Sequence, residues 1–171
     1  MLFVEANEIV PNLWQGSFPQ PGGNVRASGF KLLVLCAVEL QRDPSDYPGV
    51  EVLNAPNYDH IDHKLNAEDE RIALDAGLRV EQAVRAGQKT LVTCRAGMNR
   101  SGFVTGIALH LLFGWDGDSI IRLIRKKRPM RNGHRPLSNA DFTAALRKLT
   151  SHPTALPGGW QQSASGVLFP V

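Results

Sequence analysis

Residues 89–113 join a short apolar segment to a long apolar one through a polar loop that contains a glycine. The first segment, KTLVTC at 89–94, has the length and the β-branched residues of a buried strand. The second, SGFVTGIALHLLF at 101–113, is long enough for a buried helix, and Gly114 follows it as a typical helix end. A strand that leads into a helix is the building unit of an α/β domain, so this region predicts that fold class.

Other strands and helices alternate along the chain. Short apolar pieces at 4–18 predict one or two strands joined by a turn. KLLVLCAV at 31–38 predicts a buried strand, and GVEVLNAP at 49–56 predicts the next one. Because helical patterns lie between and after these strands, we expect a single α/β domain whose central, mostly parallel, twisted sheet is flanked by helices.

Polar residues and helix breakers mark the predicted helix boundaries. Asn66, followed three residues later by Asp69, has the pattern of an N-cap with an acidic first turn, and Gly87 ends this helix. Asp118 is the predicted N-cap of a later helix, which Pro129 ends.

The composition is that of one ordinary folded domain. Of 171 residues, 43% are hydrophobic and 20% are charged, and the formal net charge is +3, which excludes a disordered chain. We expect residues 1–150 to form the domain and the Pro-, Gly- and Ser-rich residues 151–171 to form a C-terminal tail. Trp160 and Phe169 are the tail residues that we consider for packing against the domain.

Targeting signals are missing from the pattern of this sequence. No apolar run reaches the ~18–20 residues of a membrane-spanning helix, and the N-terminus lacks the basic and apolar regions of a signal peptide. We therefore expect a cytoplasmic protein in which Cys36 and Cys94 are reduced thiols.

The loop after the strand at 89–94 has the chemistry of an anion-binding site. At the carboxyl edge of a parallel sheet, backbone N–H groups of such a loop and the N-terminus of the next helix favour a phosphate. Gly97 supplies the backbone freedom of the turn, and the planar fork of Arg100 binds two phosphate oxygens. The same positive field stabilises the thiolate of Cys94, so we predict in-line attack on phosphorus without a metal or other cofactor.

The stretch from Thr93 to Gly102 resembles the Cys-x5-Arg-Ser phosphate-binding loop of the protein tyrosine phosphatase superfamily. It is most similar to the loop of the small dual-specificity-like members. EIVPNLWQGS at 8–17 resembles the family's opening segment, and KLLVLCAV at 31–38 resembles the strand that follows.

A segment near the end of the chain adds to this resemblance. Arg128-Pro129, followed by Asn139 and Phe142, is similar to the family's Arg-Pro…Asn-x-x-Phe segment, with MRNGHRPLS as a longer loop in between. The resemblance implies a cysteine-dependent phosphatase that acts on phosphotyrosine, and also on phosphoserine or phosphothreonine, through a phosphocysteine intermediate.

The resemblance also implies roles for the loop residues. Cys94 corresponds to the nucleophile, and Arg100 to the group that binds the phosphate and the transition state. Ser101 corresponds to the hydroxyl that assists hydrolysis of the intermediate, and it is equally suited to cap the helix. Asn139 corresponds to a residue that braces the loop, and it is equally suited to be an ordinary N-cap of the last helix. The remaining loop residues are Arg95, Ala96, Gly97, Met98 and Asn99.

Two positions need a choice or depart from the family pattern. The family's general acid is an aspartate on a loop upstream of the cysteine, and both Asp59 and Asp62 lie there. Asp59 is our first choice because it follows the strand at 49–56 closely, and Asp62 is the second. Thr93 stands where the family usually has a histidine that orders the loop, so we expect a weaker stabilisation of the Cys94 thiolate.

Three alternative functions remain open. Asn99 before Arg100 also resembles the loop of RNA 5′-triphosphatases, and the basic run at 122–135 suits RNA or a phosphoinositide. That run is more often a solvated helix face, so a nucleic-acid partner is not favoured over a phosphorylated protein. The alternative from another class is a phosphate-binding module with little turnover. The sequence leaves the oligomeric state open.

Overall fold

A central sheet and its flanking helices make up this computed structural model, which describes residues 4–60, 62–131, 133–162 and 168–170. The first half contains β1 (Ala6–Val10), β2 (Leu13–Ser17), α1 (Asn24–Ala27), β3 (Leu32–Ala37), β4 (Glu51–Asn57) and α2 (Ala67–Arg85). The second half contains β5 (Thr90–Cys94), α3 (Arg100–Phe113), α4 (Gly117–Lys127), α5 (Ala140–Arg147), β6 (Trp160–Gln162) and β7 (Leu168–Pro170).

The main sheet has five strands in the order β1-β2-β5-β3-β4. β1 and β2 form an antiparallel hairpin, whereas β2, β5, β3 and β4 are parallel to one another. This arrangement confirms the predicted α/β fold with a mostly parallel sheet. β5 lies in the middle of the sheet, so the loop that follows it starts from the centre of the sheet's carboxyl edge.

β3 shows why the central strands read as continuous apolar runs, because its six residues are all buried. Alternate side chains point to opposite faces of a strand. Leu32, Val34 and Cys36 join the core formed with α2, α3, α4 and α5. Leu33 and Leu35 join a smaller core with residues of α1 and with Tyr47 on the other face.

The helix boundaries follow capping chemistry, with one departure from prediction. Asn66 and Asp69 form a complete capping box at the start of α2, as expected. Asp118 is not the N-cap of α4: Asp116 takes that place and accepts hydrogen bonds from the backbone N–H and the hydroxyl of Ser119. The helix begins earlier because Asp116 provides the cap through Ser119, while the backbone N–H of Gly117 is bound by the carbonyl oxygen of Leu149 at 3.0 Å.

Part of the C-terminal tail contacts the domain. The ring of Trp160 lies 5.6 Å from the ring of Phe113 and packs against the core. β6 pairs with β7 in a separate two-stranded sheet. The side chain of Phe169 lies outside the described part of the chain. Within the described ranges, no helix is both long and apolar enough to cross a membrane.

We predict that Asn66→Ala lowers the free energy of unfolding by about 1 kcal/mol, because it removes the cap of the longest helix. Urea denaturation followed by far-UV circular dichroism measures this change. Asn66→Ser is the matched control, since a serine hydroxyl also caps a helix. If both variants unfold at the wild-type urea concentration, the cap contributes nothing to stability.

Candidate active site

The loop of residues 94–100 lies where the sequence places it, between the end of β5 and the start of α3. Cys94 is the last residue of β5 and Arg100 the first of α3, and both side chains are buried. Strands β2 and β3 flank β5 on either side, so the loop is set in the middle of the sheet edge.

Gly97 determines the path of the loop. Its φ is +68°, in the left-handed region that favours glycine, and a Cβ atom there would overlap the carbonyl group of Gly16 in β2. The carbonyl oxygen of Gly97 accepts hydrogen bonds from Gln15 Nε2 at 2.9 Å and from Arg128 Nε at 3.0 Å. The loop therefore packs closely on β2, with its carbonyl groups bound from behind.

The backbone N–H groups of residues 95–99 differ from these carbonyl groups in their hydrogen bonding. Within the described part of the chain, none of them donates a hydrogen bond to another protein group. Arg128 Nη2 binds the Ala96 carbonyl at 2.9 Å, so acceptors of the loop are satisfied while donors are left. Backbone donors left together at the N-terminus of a helix form an anion site.

Arg128 is fully buried and connects the loop to the N-terminal hairpin. Its guanidinium forms a bidentate pair with Glu5, at 2.7 and 2.8 Å, and donates to Asn7 Oδ1 at 2.8 Å. Glu5 also pairs with Arg131 at 2.7 Å. Burial alone would raise the pKa of Glu5, but hydrogen bonds from Arg128 and Ser17 and the charges of both arginines lower it to about 2.

The side chain of Cys94 contacts the hydroxyl group of a serine. Its Sγ lies 3.3 Å from the Ser101 Oγ at the start of α3. Thr93, which stands in place of a histidine, donates its hydroxyl to the carbonyl oxygen of Val34 at 3.0 Å, so it ties β5 to β3 rather than contacting the loop. Burial, with the negative charge of Cys94, raises the pKa of Cys36 well above its ordinary value, so Cys36 stays a protonated core thiol.

Arg100 makes an ion pair that the sequence did not indicate. Its Nη1 and Nη2 atoms bind the two carboxylate oxygens of Glu39 at 2.6 and 2.9 Å. Arg95 also donates to Glu39, at 3.2 Å. The hydrogen bond from Arg100 is the main reason that the pKa of Glu39 falls to about 2. The Nε atom of Arg100 is buried and has no hydrogen-bond partner among the described residues.

Asp59 and Asp62 are placed differently. Asp59 lines the cavity in front of Cys94, and its two carboxylate oxygens accept hydrogen bonds from Asn99 Nδ2 at 3.0 Å and from Asn139 Nδ2 at 2.9 Å. Asp62 is exposed, lies 3.6 Å from His60 Nδ1 and does not line this cavity. The structure therefore brings Asp59 and not Asp62 together with the loop.

Asn139 combines the two roles that the sequence left open. Its side-chain oxygen accepts the N–H of Asp141 at 2.9 Å and so caps α5. Its backbone N–H donates to Asn99 Oδ1 at 3.2 Å, which links it to the loop. Phe142, the other residue of this segment, stacks on Phe103 of α3 with ring centroids 5.0 Å apart.

The cavity above the loop has a volume of about 730 Å³ and a strongly charged wall. Besides the loop residues, it is lined by Glu39 and Asp59 and by Arg131 and His134. The last two lie in the longer loop at 130–138, where their backbones form two mutual hydrogen bonds at 2.9 and 2.8 Å. The described residues contain no cluster of His, Cys, Asp and Glu that would hold a metal ion.

The basic run at 122–135 is not one continuous surface. Arg128 is buried behind the loop, Arg125 donates to the carbonyl oxygens of Pro136 and Leu137, and Arg131 lies at the cavity. Three of the seven basic residues in this run therefore support the site or line it. A solvated helix face would not need these contacts, and neither would a surface that binds nucleic acid.

We predict that the stability of the protein falls as the pH is lowered from 4.5 to about 2. The pKa of Glu5 is about 2 when folded against an ordinary value of 4.5, so the unfolded chain binds more protons in this window and acid favours it. Glu5→Gln should unfold more easily than wild type at pH 6, and this difference should shrink towards pH 2. Thermal melts at several pH values test this, and a difference that is constant with pH would contradict it.

Several solved structures similar to this one are described as phosphatases. A mouse protein described as a dual specificity phosphatase, solved with zinc tungstate, is 25% identical over 86% of this chain and 87% of its own, with a TM-score of 0.69. Human DUSP28 is 27% identical over 84% of this chain and 94% of its own, with a TM-score of 0.63. Tk-PTP in its active form is 23% identical, with a TM-score of 0.68, and supports the fold alone.

Comparisons of sequence detect less similarity to known proteins than the comparison of structures does. No protein-family model matches the chain, and no curated protein matches it significantly. The structures that are 25–27% identical match over 84–86% of this chain. The chain therefore has the fold of the small dual-specificity phosphatases, and the resemblance to these members of the protein tyrosine phosphatase superfamily, first indicated by the loop motif, is confirmed.

Proposed function

We propose that this chain is a cysteine-dependent phosphatase that hydrolyses phosphomonoesters through a phosphocysteine intermediate. The observation that carries the proposal is the loop of residues 95–99, which follows the buried Cys94 and precedes the buried Arg100; among the described residues, its N–H groups and Arg100 Nε have no hydrogen-bond acceptor. A phosphate supplies the acceptor oxygens for these donors. The similarity to solved phosphatases supports the same activity.

Substrate binding uses the loop donors and Arg100. The N–H groups of Arg95, Ala96, Gly97, Met98 and Asn99 bind the phosphate oxygens, and the α3 N-terminus favours the negative charge. Arg100 contributes Nε and, when the phosphate enters, shares its fork between Glu39 and the substrate. Burial opposes the charge of Arg100, but Glu39, Cys94 and Asp59 raise its pKa, so it remains a cation throughout.

In the first chemical step, the Cys94 thiolate attacks phosphorus as the bond from phosphorus to the leaving oxygen breaks. Asp59, in its protonated form, donates a proton to that oxygen. The equatorial oxygens stay bound to the loop while their charge is redistributed. The product of this step is the phosphocysteine together with the free alcohol or phenol.

In the second step, a water molecule attacks the phosphocysteine. The Asp59 carboxylate accepts a proton from the water as the oxygen–phosphorus bond forms and the phosphorus–sulfur bond breaks. Ser101 Oγ, 3.3 Å from the sulfur, donates a hydrogen bond to the departing thiolate. Asp59 is then protonated again, and inorganic phosphate leaves.

We place phosphorylated proteins first among the substrates, with phosphotyrosine preferred and phosphoserine or phosphothreonine also accepted. Arg128 is buried and Arg125 is bound to the carbonyl oxygens of Pro136 and Leu137, so the basic run gives little support to an RNA 5′-triphosphatase. Arg131 and Arg95 at the cavity keep a phosphoinositide as the second candidate. Because catalysis needs a reduced thiol, a reducing compartment such as the cytoplasm suits this enzyme.

Steady-state hydrolysis of p-nitrophenyl phosphate in the presence of EDTA tests the mechanism. We expect turnover by the wild type and none by Cys94→Ser, because an alcohol is not ionised at neutral pH. Asp59→Asn should lower kcat by about 10²-fold or more, whereas Asp62→Asn keeps the wild-type rate. A wild type that binds tungstate without turnover would instead identify a phosphate-binding module.

Substrate competition separates the remaining choices. We expect phosphotyrosine and phosphothreonine peptides to be hydrolysed faster than a phosphoinositide headgroup or a 5′-triphosphorylated RNA, measured as kcat/KM from phosphate release. Faster phosphate release from the RNA than from the peptides would overturn this order of substrates. A rate that then falls steeply with added salt would indicate contacts to the RNA backbone, because such contacts release counterions.

A further inference from the structure

The carboxylate of Asp59 is held by two amide side chains from two other elements. Asn99, at the end of the phosphate loop, donates to one carboxylate oxygen at 3.0 Å, and Asn139, at the N-cap of α5, donates to the other at 2.9 Å. Asp59 itself lies on an exposed segment without regular structure after β4. An exposed aspartate in such a segment is ordinarily solvated and free to change rotamer.

The two amides are themselves held in place. Asn99 Oδ1 accepts the backbone N–H groups of Ser138 at 2.8 Å and of Asn139 at 3.2 Å. Asn139 Oδ1 accepts the N–H of Asp141. Each amide therefore has its oxygen bound to backbone donors, and this leaves Nδ2 as the group that meets Asp59. Reversing either amide would place oxygen against a carboxylate.

We infer that Asn139 and Asn99 are positioning residues that hold Asp59 against the reacting phosphoester. The inference rests on the proposed function and adds residues to it. A carboxylate oxygen has two lone pairs, and an amide N–H occupies one on each oxygen, so a lone pair remains on each for the proton that is donated and recovered. Proton transfer requires hydrogen-bond geometry, and misplacing the carboxylate slows the step in which the leaving oxygen must be protonated.

The cap and the positioning role of Asn139 can be separated. A serine at this position still caps α5 through its hydroxyl, but it is too short to replace the amide donor to Asp59. Asn66→Ser, at the N-cap of α2, is the matched control of the same substitution away from the site.

The experiment compares two substrates that differ in their need for an acid. Phenyl phosphate has a poor leaving group that must be protonated, whereas 2,4-dinitrophenyl phosphate has a good one that leaves unaided. We expect Asn139→Ser to lower kcat/KM about tenfold for phenyl phosphate and less than about twofold for the dinitrophenyl ester. We compare kcat/KM because it covers only the steps up to release of the leaving group, whereas kcat includes the second step, in which Asp59 acts on both substrates alike. Asn66→Ser should leave both rates at wild-type values, and circular dichroism should show that all variants are folded.

Asp59→Asn separates the two possible failures. If it lowers kcat/KM selectively for phenyl phosphate while Asn139→Ser lowers kcat/KM for both substrates equally or for neither, the positioning role is wrong and the proposed acid stands. If the effect of Asp59→Asn on kcat/KM does not depend on the leaving group, Asp59 is not the acid, and both the assigned role and the positioning inference fall. A selective loss in both Asp59→Asn and Asn139→Ser supports the inference.

Discussion

The buried guanidinium of Arg128 is the interaction on which the shape of the site depends. It binds the carbonyl oxygens of Ala96 and Gly97 from behind, and a bidentate pair with Glu5 neutralises it. An ion pair of this kind gains little over an apolar core when formed, but losing one partner leaves a buried charge or unsatisfied carbonyl groups. Arg128 binds the carbonyl groups of the loop on one side. The N–H groups of the loop therefore remain for an anion on the other side.

The carboxylates near the site are fewer than the cations that they hold. Glu5 pairs with Arg128 and Arg131, and Glu39 pairs with Arg100 and Arg95. Each glutamate thus fixes two arginines in place while neutralising one charge, so the cavity keeps a positive excess. That excess favours the binding of an anion in the cavity. The same arrangement lowers the pKa of both glutamates to about 2, so their protonation at lower pH would release the arginines.

Much of this site could be predicted from the sequence, because the residues to which we assign roles in the reaction lie close together along the chain. Cys94, Gly97, Arg100 and Ser101 lie within one strand–loop–helix unit, and local spacing is enough to relate them. The continuous apolar run of β3 and the capping box at Asn66 are likewise local. Glu5, Gln15 and Glu39 were not predicted, because each is an ordinary polar residue until the sheet brings it to the loop; Glu5 and Arg128 are separated by 123 positions. Asp116 and Asp118 are both common N-cap residues, so residue type alone did not identify Asp116 as the cap of α4.

The two sides of the cavity are held by interactions of different strength. Behind the loop, buried charges and a glycine packed on β2 allow little movement, so Cys94 and its donors are preorganised. In front, Asp59 is held by two exposed amide hydrogen bonds, which compete with water and contribute less. This asymmetry suits the proposed chemistry, in which the phosphate keeps one position through both steps, whereas the group at Asp59 changes from the leaving alcohol to a water molecule. A carboxylate held by weak contacts can follow that exchange while the nucleophile stays still.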